Sequence, residues 1–91
     1  MPEAELDTAV RELVVVLGSL ASSLQEIGDE HWTVWIEKSN HLLQNGDLYG
    51  ADYLLRAYGR MGSLNDIAAL SIDALRTKAW ELAKYIQRIS N

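Results

Sequence analysis

The sequence of 91 residues predicts a compact all-α bundle of four to five helices, two long ones enclosing two or three short ones. Three observations predict it. Apolar residues recur at alternating intervals of four and three, the spacing of one helical face. Glycines fall where those runs stop, as left-handed helix ends require. No stretch alternates apolar and polar residues as a half-buried strand would, and the only proline, Pro2, sits where a helix start tolerates it.

In the first segment Leu6, Val10, Leu13, Leu17, Leu20, Leu24 and Ile27 form one unbroken seam, widened by Val14, Val16 and Ala21. A stripe this broad belongs to a helix packed against two neighbours inside a bundle. Gly28 then supplies a left-handed C-cap and Asp29 caps the second helix, from Glu30 to about Asn45. On that helix Trp32, Trp35, Ile36, Ser39, Leu42 and Leu43 face inward, and Glu30, Thr33, Glu37, His41 and Gln44 face out. Gly46 ends it and Asp47 caps a third helix, about Leu48 to Tyr58, which turns Leu48, Ala51, Leu55 and Tyr58 inward and stops at Gly59. Leu64, Ile67 and Leu70 point to a short helical piece. Leu75, Ala79, Leu82, Ile86 and Ile89 then repeat the four-three spacing, with a break near Ser71 left open.

Residues 1–91 make one domain whose core is adequate but leaves little room for a deep substrate pocket. The absence of cysteine removes disulfide frameworks, thiolate metal sites and thiol enzymes, and fits a reducing compartment, so the cytoplasm is the expected location. The start, MPEAELDTAV, is acidic where a secretory signal would be basic, and the run Leu13 to Leu17 is far too short to cross a bilayer, so no membrane association is expected.

The net charge of -5 argues against a general nucleic-acid binder. Its distribution is uneven: residues 1–55 hold ten Asp and Glu against Arg11 and Lys38, whereas residues 56–91 hold six Lys and Arg against three acids. Such a dipole either steers a basic partner toward the acidic half or reflects halves folded against each other.

No catalytic constellation is apparent. His31 and His41, ten positions apart on one helix, are separated by roughly 15 Å along the axis and cannot share a metal ion. Glu37, Ser39 and His41 diverge because neighbours two apart on a helix do not face each other. The expectation is a non-enzyme without cofactor or metal.

The stretch AYGRMGSLND, residues 57–66, could grip an anion with its free backbone N–H groups, Arg56 and Arg60. It lacks the lysine and the preceding strand of a phosphate loop, and KH-type recognition would need a sheet. A structural turn accounts for every residue: Gly59 as C-cap, Gly62 for the reversal, Ser63 as N-cap with Asp66 three later, and Asn65 bonding backbone.

Residues Tyr58-Gly59-Arg60-Met61-Gly62-Ser63-Leu64-Asn65-Asp66 resemble the Tyr-Gly-Gly-Met-Gly-Ser-x-Asn-Asp signature of a family of small bacterial helical proteins. Trp32, Trp35 and Leu42-Leu43 resemble that family's Trp and Leu positions, so the likeness covers about residues 30–72, with Arg60 departing from the usual second glycine. Size, acidity and helical content also resemble the immunity proteins of bacterial toxin systems, including contact-dependent growth inhibition. What this second resemblance implies is non-catalytic capture of a cognate toxin such as a nuclease with a basic cleft.

Candidate partner-binding residues are Tyr49, Asp52, Tyr53 and Arg56 on the outer face of the third helix, types enriched in binding hot spots, unless that helix is buried on both sides. Glu30 and Glu37 on the outer face of the second helix are the candidate charges for a basic partner. Trp80, off the last seam beside Arg76 and Lys84, is either second-layer core or an exposed anchor, core being the expectation. The alternative function is a self-associating helical adaptor that pairs through the first-helix seam or the Tyr49–Tyr53 face.

Overall fold

Two glycine caps set the course of the chain. The computed structural model describes residues 2–58, 64, 67 and 69–90. Helix α1 spans Pro2–Glu26 and helix α2 Glu30–Gln44. Between them Gly28 adopts φ +81°, while the Asp29 N–H donates to Leu24 O at 3.0 Å and the Gly28 N–H to Gln25 O at 3.0 Å. This pair of bonds, six-to-one and five-to-two, is a Schellman motif, and only glycine takes its left-handed position without strain. The Asp29 carboxylate accepts from the Trp32 N–H at 3.0 Å, so one residue closes α1 and caps α2.

The device repeats at the end of α2. Gly46 has φ +81°, its N–H donates to Leu43 O at 3.1 Å, and the Asp47 N–H reaches Leu42 O at 2.9 Å. Helix α3 is short, Tyr49–Leu55, and its N-cap is Leu48, without a side-chain cap; Asp47, expected to be the cap, stands one residue earlier and its carboxylate accepts from the Tyr49 N–H at 3.0 Å. Helix α4 runs without interruption from Leu70 to Ser90. There is no break at Ser71.

All-α architecture is therefore observed, with four helices and no strand among the described residues. Helix α1 is the spine: Leu13, Leu17, Leu20 and Leu24 are completely buried between α2 and α4, as a two-neighbour stripe requires. Helix α4 turns Ile72, Ala79, Leu82, Ala83 and Ile86 inward, and the small Ala79 and Ala83 let it lie close. Helix α3 bridges α2 and α4, contributing Ala51 and Leu54. The radius of gyration is 12.4 Å, and a packed domain of this length needs about 12 Å.

The expected inward faces need five corrections. Thr33 is buried, not outward, because its hydroxyl donates to Asp29 O at 2.7 Å and so carries no unmet polar demand into the α1–α2 contact. Ile27 is exposed, since the chain has already left the helix. Leu54 rather than Leu55 is the completely buried leucine of α3. Leu70 is 94% exposed: α4 starts there, and the seam through Leu75 and Ala79 extends back to Ile72, two residues or about 200° away. Trp80 is exposed rather than core, with Lys84 Nζ 5.6 Å from its ring centroid.

Gly59, Gly62, Ser63, Asn65 and Asp66, expected to form the structural turn, lie outside the described residues, as does Arg60. What surrounds them is held firmly. Leu64 is completely buried and its N–H donates to Ala57 O at 2.9 Å. Arg76 Nη1 donates to Leu64 O at 2.8 Å and Ile67 O at 3.0 Å, while Nη2 pairs with Asp73 at 2.7 Å. The Tyr58 hydroxyl donates to Arg76 O at 2.7 Å. Burial of that phenol raises its pKa well above the ordinary value of 10.0, and the nearby Arg76 charge offsets part of the effect.

Candidate functional site

Helices α2 and α3 meet through unusually small groups. Gly50, in the first turn of α3, is buried against Ser39 and Leu43 of α2 so closely that a Cβ there would lie 2.7 Å from Ser39 O and from Leu43 Cγ. This contact brings the two backbones together and sets the aromatic side chains on either side of it in register.

Trp35 projects from α2 onto Tyr53 of α3. The rings stack with centroids 4.5 Å apart and planes 16° from parallel, and the indole Nε1–H donates to Tyr53 O at 3.0 Å. Both side chains are half-buried. From this pair the array extends in two directions. Trp32 lies 5.3 Å from Trp35, with His31 edge-on to Trp32 at 4.6 Å. Tyr49, one turn before Tyr53 and 42% exposed, lies 6.3 Å from it. Two cations flank the tyrosines: Lys38 Nζ sits 5.0 Å from the Tyr53 centroid and Arg56 Cζ 5.5 Å from that of Tyr49. Both distances are within the range of cation–π attraction.

Tyr49, Tyr53 and Arg56 thus share one surface, as the spacing on α3 implied. Asp52 turns aside toward α4, where its carboxylate accepts a hydrogen bond from Gln87 Nε2. Glu30 and Glu37 are exposed on the solvent side of α2, with Val34, 63% exposed, between them in helical spacing. Lys38, the next residue after Glu37, lies about 100° round the helix from it, so the acidic stripe adjoins the aromatic array without entering it.

The array holds four residues absent from the expected site: Trp35, Trp32, Lys38 and His31. Both tryptophans, expected to face inward beside Ile36 and Ser39, are half-buried. A signal for Trp35 and Lys38 did exist, since both lie between the inward and outward faces of α2. Only the approach of α3 makes that edge a surface. Among the described residues there is no group of three His, Asp or Glu arranged for a metal ion. The result is a partly exposed aromatic edge of α2 and α3 with cations held over two of its rings, Lys38 over Tyr53 and Arg56 over Tyr49.

Residues 25–73 match a family described as a domain of unknown function, DUF6966. The chain belongs to that family. The DUF6966 span takes in the end of α1, all of α2 and α3, and the first residues of α4, so it contains the entire aromatic array and the Glu30–Glu37 stripe. No curated protein and no solved structure matches the chain.

Proposed function

We propose that this DUF6966 protein is a non-catalytic binding protein that captures a protein partner on the outward side of α2 and α3. The observation that carries the proposal is the Trp35–Tyr53 stack, half-open to solvent, held by an indole hydrogen bond and bordered by Lys38 and Arg56. A preordered aromatic surface loses little side-chain entropy when it is covered, the property that makes Trp, Tyr and Arg dominant at interfaces.

The partner we infer is a cognate bacterial toxin with a basic cleft, of nuclease type, and the role is that of an immunity protein. Three features support it: the loose resemblance in size, acidity and helical content, the excess of acids in residues 1–55, and the Glu30–Val34–Glu37 stripe beside the array. A body seated over α2 meets both surfaces, with acids at one edge steering its approach and aromatics at the other anchoring it. The location we infer is the cytoplasm; no helix among the described residues is long and apolar enough to cross a membrane.

The test is co-expression with the product of the adjacent open reading frame. A toxic neighbour neutralised by this protein, in a complex that Tyr53→Ala weakens, is the expected result. If the neighbour is harmless, or remains toxic beside abundant folded protein, the toxin reading is wrong.

A further inference from the structure

The two long neighbours of α1 do not cover it equally. Helix α1 has 25 residues and α2 has 15, lengths of about 37 and 22 Å, and they run antiparallel from the Gly28 turn. About 15 Å at the start of α1 therefore extends beyond the end of α2. On the α4 side this overhang is covered, since the Tyr85 hydroxyl reaches Glu5 at 3.2 Å. On the α2 side it opens as a groove of about 740 Å³ lined by apolar Leu6, Val10, Val14 and Val15 of α1 and by Leu43 and Leu48 at the α2–α3 corner. Val15 is 70% exposed, while Leu6, Val10 and Val14 are only half-buried although they continue the core seam.

We propose that this groove is a self-association surface in which α1 of a second copy packs antiparallel against α1 about a two-fold axis near Val10. The charges lining the groove select a second copy over a strongly basic or acidic partner. The groove's ionisable lining is one acid and one base, Asp7 and Arg11, bridged at 3.2 Å on the same edge of the helix. A two-fold pair that sets Val10 against Val10 puts Leu6 opposite Val14 and brings each Asp7 beside the other copy's Arg11. The offset is two residues, about 3 Å along the axis, within reach of an arginine side chain. Glu5 and Glu12 do not oppose the pairing. They line the opposite side of α1 with Leu82 and Tyr85. No residue lining the groove belongs to the Trp35–Tyr53 array, so the proposal does not depend on the capture reading.

The experiment is sedimentation of the full chain over a wide concentration range, wild type beside four variants. The wild type is expected to shift from monomer to dimer. Val10→Glu, at the half-buried centre of the pairing, and Arg11→Asp, at an exposed position where folding is not at risk, should each raise the dimer dissociation constant about tenfold or more, through loss of apolar contact or of two symmetry-related charge pairs. Asp7→Arg should weaken pairing likewise. Asp7→Arg combined with Arg11→Asp restores the complementarity and should recover dimerisation. A strictly monomeric wild type overturns the proposal. So does a dimer indifferent to Val10→Glu and to the charge reversals, or a double swap no better than its single parents.

Discussion

Glycine-to-alanine substitution at two helical positions should give opposite results, and the difference measures the α2–α3 contact on which the aromatic array depends. At Gly50 a Cβ would stand 2.7 Å from both Ser39 O and Leu43 Cγ, whereas ordinary carbon contacts begin at about 3.5 Å. The shortfall is roughly 0.8 Å. Leu43 can rotate, but the Ser39 carbonyl belongs to the α2 backbone, so α3 must move. Overpacking of this kind costs about 1–3 kcal/mol, and the improved helix propensity of alanine returns less than about 1 kcal/mol in a first turn. Gly50→Ala should therefore lose about 1–2 kcal/mol, or about 5–15 °C in melting temperature for a domain of this size.

Gly18 is the control. It lies in the middle of α1, exposed, and a Cβ there would meet nothing within 4 Å. Gly18→Ala should gain about 0.5–1 kcal/mol from backbone entropy alone. Urea and thermal unfolding by far-UV circular dichroism give the stabilities, and the near-UV signal reports whether Trp35 still stacks on Tyr53. If Gly50→Ala equals or exceeds the wild type in stability with an unchanged near-UV spectrum, the close approach of α3 to α2 is wrong and the geometry of the site falls with it.

Arg76→Met should destabilise by about 2–4 kcal/mol in urea unfolding, because it leaves Leu64 O and Ile67 O without their charge-assisted donor; a loss under 1 kcal/mol would mean that the clamp is dispensable. Tyr58 has its folded pKa raised above the unfolded value of 10.0, so the stability it contributes is complete below pH 10 and is lost as pH rises toward the folded value. Tyr58→Phe should flatten the decline of unfolding free energy above pH 10, and an unchanged slope would contradict the burial of that hydroxyl. Against a partner of the proposed kind, Tyr53→Ala should accelerate dissociation by about 2 kcal/mol or more and Glu37→Lys should slow association at low salt, both read by surface plasmon resonance; the reverse assignment of rates would exchange anchor and steering surface.

Local signals in the sequence carried most of the fold. Gly28, Asp29 and Gly46 stand at the caps that their residue types imply, because a left-handed turn and an N-cap are decided within a few residues. The Leu13–Leu24 seam is buried for the same reason: its period is a property of one helix. Thr33 escaped because its polarity is cancelled by Asp29 O, a bond that hydropathy does not register. The candidate site was half legible. Tyr49, Tyr53 and Arg56 share a face by spacing on α3 alone. Their meeting with Trp35 and Lys38 joins residues far apart in the chain and depends on the Gly50 approach. Periodicity within one helix contains no information about that distance.

The placement of the bonds that join elements shows how such a surface can stay rigid in so small a domain. Helix α3 has seven residues, too few to hold its own conformation without tertiary support. It is fixed at both margins: Trp35 Nε1 bonds Tyr53 O from the α2 side, and Gln87 bonds Asp52 from α4. Just beyond its end, Tyr58 and the Arg76 clamp tie the following segment to α4. Asp73, which pairs with Arg76, is the last residue of the DUF6966 span, whereas Arg76 and Gln87 lie outside it. The matched span thus carries the array, while α1 and α4 supply the long apolar faces and the fasteners that hold it. On the proposed capture role, a change at Arg76 or Gln87 would act on partner binding through the position of α3. It should alter affinity and the near-UV signal of the Trp35–Tyr53 stack together, whereas Tyr49→Ala should alter affinity and leave that stack in place.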